Sequence, residues 1–316
     1  MTASTRRVFA GGLGALGVGG WASVGGGVER GVAYRVVERA DRDSLGEGAI
    51  WSARRNAILW IDIGRPGLSI LDLRTGRVSR TPLPQMVVWL FERENGDGFI
   101  VGLRKGIGWL KLDPVEIIEI AGLEADLPNN RLNDAKVDPF GRVWFGTMGQ
   151  GPSGGAGSFY RLDPDLKWSK QDTGYRVANG PTFSLDGRTV FHNDTPNRTV
   201  YAFDLDPRGG LSNKRVFIRF EPEWGVPDGM TTDAEGGLWI CGWDGGRISR
   251  FRPDGTLDRF ISLPASRPTT GVFAGPRLER LFVASSSGGL DNQPLAGALF
   301  EVSPGVRGMR QTLFAG

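Results

Sequence analysis

The sequence predicts an all-β fold, a six-bladed β-propeller with a metal site in its central channel. Three observations lead there: a repeat of 40 to 48 residues, glycine and proline spread along the chain, and no long amphipathic helix after residue 30. The repeat is a turn followed by a short apolar strand with a large side chain at a fixed place. Its six copies centre on Trp60, Ile100, Trp144, Phe191, Trp239 and Phe282. A second strand-like unit ending in a polar turn follows each copy, from GLSILDLRTG (67–76) to GALFEVSPG (297–305). Repeats of this length with turn signals between strands describe four-stranded blades. AYRVVERA (33–40) precedes the first full unit. It is expected to pair with the C-terminal strands and close the ring, which protects the sheet edges. The propeller is therefore assigned to 33–316.

Composition narrows the chemistry. Hydrophobic residues make up 40% and charged residues 23%, the ordinary range for a soluble globular protein. Net charge is +3, two of it from Arg6 and Arg7, and no basic run remains, which argues against nucleic acid as a partner. The single cysteine, Cys241 in GLWICG, allows no intrachain disulfide and reads as a small buried hydrophobe. The single histidine, His192, removes His-rich zinc sites, and no G-x-S-x-G accompanies it to suggest a Ser-His-Asp triad. His192 reads as structural. A hydrolase built on this chain is expected to work with a metal and carboxylates.

Residues 1–26, MTASTRRVFAGGLGALGVGGWASVGG, read as an address. Arg6-Arg7, Phe9 two residues on and a weakly apolar stretch resemble a twin-arginine export signal, with cleavage after Ala22. The expected location is periplasmic or secreted, with the cytoplasm as the alternative. The stretch is too short and glycine-rich for a stable membrane span.

Polar residues fall in register on the repeat. Glu47, Asn133, Asn179 and Asp228 lie 11 to 13 residues before Trp60, Trp144, Phe191 and Trp239. Four of six blades thus carry an oxygen-bearing side chain at the start of the innermost strand, where the blades converge on the axis. The other two carry Val88/Trp89 and Thr270 near that place. Two amides and two carboxylates make an all-oxygen site suited to Ca²⁺, Mg²⁺ or Mn²⁺; Zn²⁺ without His or Cys is a poorer fit. Trp89, Trp224 and Trp243 fall near positions facing the axis, and Trp89 is the one assigned to stacking on a sugar ring.

At these residues the chain resembles the gluconolactonase / regucalcin (senescence marker protein) / luciferin-regenerating-enzyme family of six-bladed propellers, over about residues 40–305. The resemblance rests on LGEGAIW (45–51), RLNDAKVDPFGRVWFGTM (131–148), NGPTFSLDG (179–187) and PDGMTTDAEGGLWICGWDGGRISRFRPDG (227–255). It implies metal ligation by Glu47, Asn179 and Asp228. It also implies substrate contacts from Asn133 and Arg131, and hydrolysis of a sugar lactone such as glucono-, xylono- or arabinonolactone to the aldonic acid. Some members carry acidic residues just after G-T-M that help bind the sugar; here that stretch is GQGPSGGAG, with Gln150 in that place. Val226 stands before P-D-G, where members often have a larger or polar residue.

Lactone hydrolysis needs a polarised carbonyl, an activated water and a stabilised oxyanion. With one histidine in the chain, the base is expected to be a carboxylate, and Asp228 is the choice. Binding a cation would depress its pKa and weaken it as a base; a hydroxide held by the cation, or partial detachment of Asp228, each resolves this. Two other classes remain open: a metal-dependent esterase or organophosphate-type hydrolase acting on a non-sugar substrate, and a non-catalytic calcium-binding propeller, against which Arg131 argues. The expected partner is a small sugar lactone, and the expected oligomeric state a monomer. Replacing Arg6 and Arg7 by lysine is expected to leave the chain in the cytoplasm in a cell-fractionation assay; unchanged export would remove the twin-arginine reading.

Overall fold

The computed structural model describes residues 34–151 and 156–316, so the 1–26 address segment lies outside the described residues. Six four-stranded antiparallel sheets follow one another along the chain as blades of a propeller. Their innermost strands are Gly46–Ser52, Val87–Glu92, Asn130–Val137, Ala178–Phe183, Val226–Thr232 and Pro268–Ala274. The six large residues of the repeat all fall on the second strand of their blade. The second repeat unit supplies the third strand each time, Gly67–Asp72 in blade 1 and Phe300–Val302 in blade 6.

The sixth sheet takes its outermost strand from the other end of the chain. Tyr34–Val36 pairs with Phe300–Val302, Tyr34 opposite Val302 and Val36 opposite Phe300. Arg35 bonds Glu301, and Tyr34 meets the Phe300 ring edge-on at 5.9 Å. This closure was expected of AYRVVERA and joins the two ends of the ring.

A second closure was not legible. Residues 307–316 run across the far end of the propeller and touch five blades in turn. Arg307 O accepts from Ala234 N at 2.8 Å, and Gly308 N donates to Leu278 O at 2.7 Å. Trp51 N donates to Gln311 Oε1 at 3.1 Å. Phe314 N donates to Glu92 O at 2.9 Å, and Ala315 N to Gly141 O at 3.1 Å. The Phe314 side chain is fully buried in the core between blades 2 and 3. These backbone groups would otherwise face water at the blade ends.

The aromatic positions are held by a repeated polar device. In blade 3, the turn DPFGRVW places Asp138 so that Oδ1 accepts from Phe140 N (2.8 Å) and Arg142 N (3.0 Å). Oδ2 accepts from Arg142 Nε (2.5 Å) and Trp144 Nε1 (2.8 Å). Blade 5 repeats it in DAEGGLW, where Asp233 accepts from Gly237 N, Trp239 Nε1 and Arg250 Nε. One carboxylate thus caps the turn and satisfies the polar edge of a buried indole. Asp138→Ala would leave Arg142 buried without its carboxylate and Trp144 Nε1 unpaired. It is expected to cost about 3–5 kcal/mol, read as a lowered urea midpoint; a loss under about 1 kcal/mol would mean that the pair is not structural. No helix of the described residues is long and apolar enough to cross a membrane.

Candidate metal centre

Every innermost strand breaks register once, at the same height. The shifts fall between Glu47 and Ile50, Val87 and Trp89, Leu132 and Ala135, Asn179 and Thr182, Pro227 and Met230, and Pro268 and Gly271. A bulge re-aims side chains, because two residues on the bulged strand oppose one on its neighbour. Here six bulges form a ring around the axis, and Glu47, Asn133, Asn179 and Asp228 lie at four of them. The other two hold Val88 and Thr269-Thr270.

Glycine distinguishes three of the four. Glu47, Asn179 and Asp228 are each followed by a glycine, whereas Asn133 is followed by Asp134. A Cβ on Gly48 would stand 3.1 Å from Trp89 Cα of the next blade, and one on Gly180 would stand 2.6 Å from Asp228 O. Both also have positive φ, 58° and 53°. A Cβ on Gly229 would meet Thr269 O at 2.6 Å. The glycines let neighbouring backbones close on the ring just beside these three residues.

Braces hold the polar set. Asn179 Nδ2 donates to Asp228 Oδ1 (2.5 Å) and Thr195 Oγ1 (3.1 Å). Thr195 Oγ1 donates to Pro227 O (2.8 Å), and Asn193 Nδ2 to Asp228 O (2.8 Å). Arg131 donates through Nη1 to Leu132 O (2.7 Å) and Asn133 Oδ1 (3.0 Å), while Asn133 Nδ2 donates to Ala178 O (3.1 Å). Asn133 therefore ties Arg131 to blade 4. Asn193 and Thr195 were not singled out from the sequence; the H-N-D-T run was their only signal, and it reads as strand and turn.

Two further channel residues were also missed. Asp134 and Lys136 follow Asn133 on the same strand and keep some surface on the channel, although protein surrounds them. Burial raises the Glu47 carboxyl well above its usual range, with Asp228 and then Asp134 adding repulsion. Burial, then repulsion from Asp134, pushes Asp228 up to about 8. Burial lowers Arg131 and Lys136, and Arg131 is supported in turn by Glu47 and Asp228. Three carboxyls thus face two cationic side chains.

That imbalance suits a divalent cation. The ring holds carboxyls that resist ionising together, and beside them the Asn179 amide, whose Nδ2 faces Asp228 while its Oδ1 accepts from Gly180 N at 2.9 Å; a hard cation would relieve the repulsion by binding the carboxylates, and a half-turn of that amide would add its oxygen. No cluster of three His, Cys, Asp or Glu side chains poised for a metal occurs among the described residues. The set is two carboxylates with an amide, Glu47, Asp228 and Asn179.

Trp89 is not at the axis. Its indole is fully buried against Phe91 and Phe145, centroids 5.7 and 5.8 Å away, because the Val88 bulge turns it into the core. A sugar cannot stack on it there. Trp243 and Trp224 are half-buried, under Arg267 and Arg247 respectively. His192 is wholly buried against Phe159 and Tyr175, and burial drives its pKa down to about 3, so it is a neutral core residue. Cys241 is buried, and burial raises its thiol.

The titrations give a stability test. The stabilisation tied to Asp228 is complete below its unfolded value of 3.8 and is lost as pH rises through about 8; Glu47 acts in the same direction. His192 acts oppositely, its contribution being present above 6.5 and lost as pH falls toward about 3. Above pH 6.5 the ring dominates. The melting temperature of chelated protein is expected to fall from pH 6.5 toward 8, and added Ca²⁺ to reverse the fall; a flat profile would contradict the ring electrostatics.

Comparison with known proteins agrees with the propeller fold. Residues 45–287 match the family model described as SMP-30/Gluconolactonase/LRE-like region. The chain is 36% identical over 278 residues to a 6-deoxy-6-sulfogluconolactonase of Pseudomonas putida, covering 86% of this chain and 95% of that one. It is 34% identical over 290 residues to regucalcin of Gallus gallus, covering 88% and 97%. A crystal structure described as a calcium-binding protein, regucalcin, from Agrobacterium tumefaciens superposes with a TM-score of 0.84 at 31% identity, covering 90% of this chain and 98% of that one.

Proposed function

Because the chain belongs to the SMP-30/gluconolactonase/LRE-like family, we propose that it is a lactonase that opens a sugar lactone to the aldonic acid with one divalent cation in the ring. The observation that carries the reading is the convergence of Glu47, Asn179 and Asp228 at three glycine-backed bulges beside Arg131. Calcium is the cation favoured by the all-oxygen set, with Mg²⁺, Mn²⁺ and Zn²⁺ as alternatives. The Arg6-Arg7 stretch supports a periplasmic location.

Held by Glu47, Asn179 and Asp228, the cation supplies Lewis acidity toward the lactone carbonyl. The protein supplies the rest. Arg131 is fixed through one nitrogen by Leu132 O and Asn133 Oδ1. Its charge interacts with Glu47 and Asp228, and its remaining N–H groups serve as donors to the carbonyl oxygen as charge develops there. Asp228 takes a proton from water as the water oxygen adds to the carbonyl carbon. Collapse of the tetrahedral adduct breaks the ring C–O bond, and the proton passes to the departing oxygen, leaving a hydroxyl and a carboxylic acid. Asn193 and Thr195 hold the backbone of Pro227-Asp228, so the carboxyl has little freedom to turn away.

Asp228→Asn keeps the shape and removes the base. It is expected to lower kcat on glucono-, xylono- or arabinonolactone by at least about a hundredfold, in a pH-indicator assay, with the fold retained by circular dichroism. Chelation is expected to silence the wild type, and one of the four cations to restore it. Full activity in the variant, or indifference to chelation, would contradict the assignment.

A further inference from the structure

Arginines of this protein are commonly paired with acids. Arg39 binds Asp43, Arg142 binds Asp138 and Arg250 binds Asp233. Arg104 is one of several arginines whose polar contacts include no acid. It is exposed, and among the described residues its guanidinium makes one polar contact, Nη2 to Gln150 Oε1 at 3.2 Å. No carboxylate lies within ion-pair distance of it among those residues. A neutral amide orients the group without cancelling its charge.

Its position is at the substrate end of the channel. Arg104 follows the second strand of blade 2, Phe99–Leu103, whose last residue pairs with Val87 beside the bulge ring. Its carbonyl accepts from Leu132 N at 3.0 Å, so its backbone is tied to the residue next to Arg131. Gln150 is fixed in turn by its own N–H, which donates to Asn129 O at 2.8 Å, on the strand pair where Arg131 lies opposite Met148. Arg104, Gln150 and Arg131 therefore share one wall of the mouth. The charge of Arg104 reaches Arg131 and opposes its protonation. The neighbouring Lys105 is committed, its Nζ donating to Glu124 O and Leu127 O at 2.7 and 2.6 Å.

We propose that Arg104, oriented by Gln150, is a specificity-determining residue that binds an anionic substituent, a sulfonate or phosphate, at the end of the sugar lactone away from the carbonyl. The inference rests on the lactonase reading and adds the substrate class. A neutral sugar would leave the Arg104 guanidinium to water, whereas an anionic substituent would take its free N–H groups. A tetrahedral oxyanion group accepts two N–H bonds from a guanidinium fork, and each is charge-assisted.

The test compares glucono-δ-lactone with its 6-phospho analogue, using wild type and Arg104→Gln. Glutamine keeps a donor for Gln150 but removes the charge, and the exposed position tolerates it. The wild type is expected to favour the phosphorylated lactone in kcat/KM by roughly ten- to hundredfold. The variant is expected to lose that advantage through KM, with a far smaller change for the neutral lactone. Arg104→Lys should recover part of it, since a point charge replaces the fork. A variant that weakens both substrates alike, or neither, would overturn the proposal. A separate readout is the Kd of 6-phosphogluconate by calorimetry at rising NaCl. Tight, salt-sensitive binding lost in Arg104→Gln supports the anion site; identical Kd values in wild type and variant reject it. If neither lactone turns over, the lactonase reading fails, while the calorimetry still decides the role of Arg104.

Discussion

The structure depends on how closely six backbones can approach one axis. Each innermost strand carries a bulge at the same height, and the blades meet there with no room for a Cβ at Gly180 or Gly229 and a tight fit for one at Gly48. That packing brings Glu47, Asn179 and Asp228 together from residues spread over 180 positions of sequence. The bulge also accounts for polarity inside an otherwise apolar ring. It interrupts the ladder, so side chains that alternation would send into the core point along the channel instead. The two closures, Tyr34–Val36 at the rim and 307–316 across the far end, hold the blades at that distance.

Electrostatics follows from the same packing. Burial raises the pKa of the Glu47 and Asp228 carboxyls, and repulsion from their acidic neighbours adds to it. Arg131 and Lys136 offset only part of the negative charge. A ring with this surplus takes a proton or a cation, and the two compete for the same oxygens. In the proposed reading, the base for hydrolysis and the ligand for the cation are one group, Asp228. Its braces explain how one carboxyl can serve both ends: Asn179 holds one oxygen and the backbone is pinned by Asn193 and Thr195.

Much of this was legible because the repeat is carried by large side chains. Second and third strands showed as aromatic and aliphatic runs, and their spacing placed four ring residues in register. The outer strands were harder to read. Val115–Gly122 and Leu211–Arg219 are largely exposed and carry little hydrophobic pattern. The bulge hid the rest. Period-two reasoning puts Asn133 and Asp134 on opposite faces, yet both turn toward the channel at the bulge. The same device carried Trp89 away from the axis. The 307–316 crossing gave no signal, since its bonds are mostly backbone to backbone and its one anchor is Phe314.

The central claim is that the bulge ring is a cation site made by Glu47, Asn179 and Asp228. Anomalous diffraction from crystals grown with Mn²⁺ tests it directly, because the metal is located without reference to any assay. The account predicts one strong peak on the propeller axis, bonded to a carboxylate oxygen of Glu47, the Asn179 amide oxygen and a carboxylate oxygen of Asp228. A ring without a peak at saturating Mn²⁺, or a peak held by other residues, would contradict it.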